Sequence, residues 1–107
     1  MSSTAIPNIA PWLAVRDAQK AVDYYQAAFS AVELYRLPAD DGSLAVAQLS
    51  VGGAVFWVQS DSKASPIGRG DGSVRMILSV DDPDSVFERA VRAGATVVAP
   101  IHEDYGW

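Results

Sequence analysis

A chain of 107 residues is long enough for one domain with a real core and too short for two independent ones. Its formal net charge of -5, from 8 basic and 13 acidic residues, argues against a nucleic-acid partner, because a phosphate backbone rewards clustered Lys and Arg. The lack of cysteine removes disulfides, thiolate metal sites and a cysteine nucleophile, and no apolar run approaches the roughly 20 residues of a membrane-spanning helix.

The N-terminal M-S-S-T-A carries neither the basic region nor the apolar core of a secretory signal, so the default expectation is a cytoplasmic protein without a membrane partner. Residues 1–8 read as a frayed lead-in. Residues 9–15 alternate as a strand apolar on both faces, with Trp12 on the side opposite Leu13 and Val15. Pro11 cannot donate to a ladder and belongs near that strand's beginning. Asp17 is placed to cap a helix whose apolar stripe is Ala18, Ala21, Val22, Tyr25, Ala28 and Phe29. The helix should stop at Ser30 and Ala31, and residues 32–37 make the next strand. Asp40-Asp41-Gly42 is a turn. Strands over 44–51 and 54–59 flank Gly52-Gly53, a pair suited to a two-residue hairpin. Residues 60–73, rich in Ser, Gly and Asp, form a connection long enough to serve as linker or lid.

Beyond the connection, residues 74–80 alternate as a strand and Asp82-Pro83 starts a second helix, with Val86, Phe87, Ala90 and Val91 as its buried stripe. Gly94 suits the cap that ends it, and residues 95–99 read as a further strand closed by Pro100. The two halves repeat: Val15, Asp17, Ala28 and Ser30 map onto Val80, Asp82, Ala93 and Ala95 at a constant offset of 65. By that offset a second hairpin falls at about 109–124. The sequence is then a shortened form, or its second unit is degenerate, or a second chain supplies the missing strands. Open strand edges invite such pairing, and a homodimer is expected.

The repeated acidic turn, the D-Y-Y-Q-A-A-F helix, the Gly-Gly hairpin and the stretch V-D-D-P-D-S-V-F-E-R-A-V-R-A-G-A together resemble the vicinal oxygen chelate superfamily. That superfamily includes glyoxalase I, extradiol dioxygenases and bleomycin resistance proteins, and the chain looks most like its glyoxalase-like group. The resemblance implies an α+β fold of paired βαβββ modules whose sheets curl around a cavity. The first module is then residues 9–59, the linker 60–73 and an incomplete βαβ second module 74–107. In metal-dependent members the first strand of each module supplies a ligand, and the matching positions here are Ala10 and Arg75, neither of which binds a divalent metal. The fourth strand, expected to give a carboxylate, holds no acid. No catalytic residue, metal or cofactor is therefore expected.

Trp12 and Trp57 read either as core or as the aromatic wall of a small-molecule cavity. Arg75 is either an anchor for a carboxylate or phosphate or a strand-end residue paired with an acid. Gln48 and Gln59 are candidates for polar contacts in the same cavity. His102, beside Glu103 and Asp104, reads as exposed tail or, less simply, as a functional group. Gly68, Gly70 and Gly72 lack the strand-to-helix setting and the Lys-Ser or Lys-Thr of a phosphate loop. These residues point first to binding of a small organic molecule without turnover. The alternatives are a metal-dependent lyase or dioxygenase whose ligands lie beyond Trp107 or on a partner chain, and a scaffold or regulatory module acting through its edges.

Overall fold

The computed structural model describes residues 7–63 and 76–97. Arg75 and His102 lie outside that range, as do residues 64–73 of the connection. The described elements are β1 (Trp12–Val15), α1 (Ala18–Phe29), β2 (Val32–Pro38), β3 (Leu44–Val51), β4 (Ala54–Ser60) and α2 (Pro83–Arg92). The strands form one sheet in the order β1-β4-β3-β2, with β1 parallel to β4 and the other pairs antiparallel. The chain therefore runs from one edge of the sheet through α1 to the other edge, then returns through two antiparallel strands to meet β1. This is an α+β architecture with one complete βαβββ unit.

Each turn has a chemical cause. The Asp17 carboxylate accepts from the backbone N–H groups of Gln19 at 3.0 Å and Lys20 at 3.2 Å, satisfying two donors that an uncapped helix leaves open. Asp17→Ala is expected to lower stability by about 1 kcal/mol, read as a shift in the urea midpoint. α1 ends on Ser30 in the left-handed region at φ 56°, where the Ser30 N–H donates to the Gln26 carbonyl at 3.1 Å. Gly52 and Gly53, at φ 56° and 87°, make the tight β3–β4 turn that side chains resist. α2 repeats the start of α1: Asp82 accepts from the Ser85 hydroxyl at 2.7 Å and the Ser85 N–H at 3.2 Å. Those bonds hold the Asp82 carboxyl below its ordinary pKa, the hydroxyl contributing most.

The core lies between α1 and one face of the sheet. Ala18 and Val22 from the helix meet Ala47, Leu49, Phe56 and Val58 from the central strands, and Leu49, Val22 and Val58 are the largest side chains fully removed from water. Tyr25 closes this side edge-on against Phe56 at 5.0 Å, and its burial raises its pKa so that the phenol stays neutral. Ser60 ties three elements together: its hydroxyl donates to the Leu44 carbonyl at 2.7 Å and accepts from the Ala18 N–H at 2.9 Å. The two helices of the repeat touch, with Arg89 Nε donating to the Ala27 carbonyl at 2.6 Å.

The strands expected over 9–15 and 74–80 differ from what is observed. β1 begins at Trp12 because Pro11 has no N–H to give. Its carbonyl instead accepts from the Trp57 N–H at 2.9 Å, so proline sits at the threshold of the ladder. Residues 76–80 adopt no regular structure, and neither do residues 95–97 of the strand expected over 95–99. An alternating pattern becomes a strand only when another strand completes its hydrogen bonds, and no described strand pairs with either segment. Met76, Ile77 and Leu78 are 52%, 87% and 44% exposed.

Candidate functional site: an aromatic sheet face

Side chains alternate across a strand, so the residues that place Leu49, Phe56 and Val58 under α1 send their neighbours to the opposite face. The pairing registers bring that second set together. Trp12 of β1 lies beside Trp57 of β4, Trp57 beside Gln48 of β3, and Gln48 beside Tyr35 of β2. The sheet thus presents a continuous row across all four strands, free of the helix that covers its other side.

The two indoles are stacked, with ring centroids 5.7 Å apart and planes 25° from parallel. Tyr35 meets Trp57 edge-on at 6.1 Å. These are distances at which aromatic pairs attract. Trp12 nonetheless remains 53% exposed and Tyr35 48% exposed. Trp12 Nε1 donates to Gln59 Oε1 at 2.9 Å, a bond spanning the β1–β4 pair. Of the two readings of the tryptophans, membership of the α1 core fails, because both lie on the other face and neither belongs to the buried cluster.

An open cavity of about 540 Å³ adjoins this row, between the lead-in at Ile9 and Ala10 and the β3–β4 residues Gln48, Val55 and Trp57. That size suits a small organic ligand. Among the sequence candidates, Trp57 and Gln48 line this cavity and Trp12 and Gln59 lie beside them in the sheet, whereas Arg75 and His102 are outside the described residues. Tyr35 escaped the sequence reading. A bulge at Leu34, between the pairs Glu33–Leu49 and Tyr35–Gln48, shifts the alternation of β2 and turns Tyr35 to the aromatic face.

A metal of the kind the resemblance implies does not suit this face. Ala10, at the first-strand ligand position, has no donor in its side chain. Among the described residues no cluster of three or more His, Cys, Asp or Glu is arranged to hold an ion. A second concavity of about 410 Å³ lies between the helices and residues 78–80 and 95–97. Only Tyr24 and Thr96 among its lining side chains carry a polar atom, so it offers fewer polar contacts to a ligand than the aromatic face does.

The model of the glyoxalase-like domain family matches residues 12–107. An uncharacterized protein of Mycobacterium bovis is 39% identical over the whole chain, which spans 74% of that protein. An uncharacterized protein of Mycobacterium tuberculosis is also 39% identical, and there the chain spans 66% of the relative. Among solved structures, TioX from Micromonospora sp. ML1 superimposes with a TM-score of 0.65 at 28% identity, over 92% of this chain and 79% of TioX. A point mutant of the fosfomycin resistance protein FosX of Listeria monocytogenes, bound to manganese(II) and dihydroxypropylphosphonic acid, gives 0.67 at 20% identity, over 95% and 80%. At that identity the likeness to FosX is one of fold. TioX and FosX are vicinal oxygen chelate proteins, so the resemblance carried by the repeated turn and hairpin is upheld.

Proposed function

We propose that this chain, which belongs to the glyoxalase-like domain family, binds a small planar organic molecule against its aromatic sheet face and does so without turning it over. The observation that carries the reading is the Trp12–Trp57 stack, left half-open on the side of the sheet that α1 does not cover. Exposing indoles to water forgoes the free energy of burying a large apolar surface, and a ligand that covers them recovers it. Gln48 and Gln59 supply the few polar groups such a face needs for orientation. Arg75 keeps its place as the candidate anchor for an anionic substituent. A metal-dependent reaction would need donors that the described face lacks.

Naphthalene, a bare planar hydrocarbon, is the direct probe. In equilibrium dialysis, saturable retention of one equivalent is expected, whereas only linear partitioning up to the solubility limit would sink the reading.

The same reading includes a second copy of the chain as partner. β1 and β2 are the outer strands, and β2 carries Val32, Leu34, Tyr35 and Leu37 at 57%, 51%, 48% and 46% exposure. An edge of that length and character is one that a partner strand or surface covers. Light scattering behind size exclusion is expected to report twice the 11.4 kDa chain mass, and a strictly monomeric mass would remove the dimer.

A further inference from the structure

We infer that the ligand of this face presents a hydrogen-bond acceptor to the Gln59 amide nitrogen, so the site takes planar heteroaromatic or carbonyl-bearing rings in preference to plain hydrocarbons. The inference rests on the proposed aromatic-face binding and narrows it to a chemical class.

The ring nitrogen of an indole is only a donor, so whatever it bonds must offer an oxygen or another acceptor. Trp12 Nε1 lies 2.9 Å from Gln59 Oε1. That contact fixes the orientation of the Gln59 carboxamide, because the reverse orientation would set donor against donor. The Nε2 group, with two N–H donors, takes no part in that bond, and no described residue accepts from it. Gln59 lies on the same face as Trp57, two residues along β4. A donor is therefore held beside the stacked rings by a bond to one of them.

Gln48 shows what this fixing adds. It sits directly across from Trp57, yet no described partner sets its amide, so it can turn either end to a ligand. Gln59 cannot do so without breaking its bond to Trp12. The discrimination resides in Gln59, and Gln48 adapts.

Isoquinoline and naphthalene have nearly the same shape and differ by one ring nitrogen that accepts a hydrogen bond. In equilibrium dialysis at a pH where that nitrogen is unprotonated, the protein is expected to prefer isoquinoline by roughly fivefold, the scale of one net hydrogen bond. Gln59→Glu keeps an oxygen for Trp12 but replaces the free donor with an acceptor, and the preference should vanish or reverse. Gln59→Met removes both ends and should also abolish it, so misfolding of either variant leaves the other to decide. Equal binding of the two rings by the unaltered protein would overturn the donor assignment while leaving the aromatic face standing. A preference that survives in a folded Gln59 variant would overturn it too, and retention of neither ring would remove both readings.

Discussion

Trp57→Ala is expected to weaken naphthalene binding by about tenfold or more, because it removes the central ring of the row and not one of its ends. Trp57 touches Trp12 on one side and Tyr35 on the other. Its loss therefore takes away its own contact with the ligand and the support that holds both neighbours upright. Trp12→Ala should cost less, since Trp57 and Tyr35 remain in contact. The contrast is informative because Trp12 is the more conspicuous residue by exposure, at 53%. A ranking based on exposure alone would predict the opposite order. Equilibrium dialysis of the two variants, with folding verified by circular dichroism, decides between them. Equal and negligible effects would mean that the probe binds elsewhere, the concavity between the helices being the first place to look.

The largest stability loss is expected on the other face of the same sheet. Leu49 is fully buried and central to the cluster that joins α1 to the sheet. Leu49→Ala should cost about 3 kcal/mol, combining lost apolar transfer with the cavity left among Val22, Val58 and their neighbours. A domain of this size has a total stability on the order of 5–10 kcal/mol, so the variant should unfold at a markedly lower urea concentration. Binding to the aromatic face should persist below that transition. The two faces of β3 and β4 thus separate: substitutions under α1 change folding, and substitutions opposite it change recognition. A Leu49→Ala protein that kept its full urea midpoint would mean that the α1 packing is not what holds the sheet.

Local chemistry explains which parts of this arrangement were legible in the sequence. Asp17 and Asp82 announced the two helices because a cap is a short-range hydrogen bond, decided within three residues. Gly52-Gly53 announced its hairpin for the same reason, since the backbone dihedrals of a two-residue turn are a local requirement. The opposite faces of Trp12 and Leu13 followed from strand periodicity. The parallel pairing of β1 with β4 is different in kind. It joins residues 45 apart, Trp12 to Trp57, and only the family resemblance pointed to it. The Trp12–Gln59 bond depends on that pairing and was invisible for the same reason. Tyr35 was lost to a bulge, whose extra residue breaks the alternation that any reading of β2 relies on. Over 74–80 the pattern misled in the other direction. Its alternation is real, but periodicity records what a strand needs and not whether a partner is present.

A ligand lying on the Trp12–Trp57 stack should perturb the indole N–H signals of nitrogen-15-labelled protein. The chain has three tryptophans, so three such signals are expected, assigned by Trp12→Phe and Trp57→Phe. On titration with isoquinoline, the Trp12 and Trp57 signals should move together and saturate at one equivalent. If both stay fixed while the ligand is demonstrably bound, the aromatic face is not the binding site.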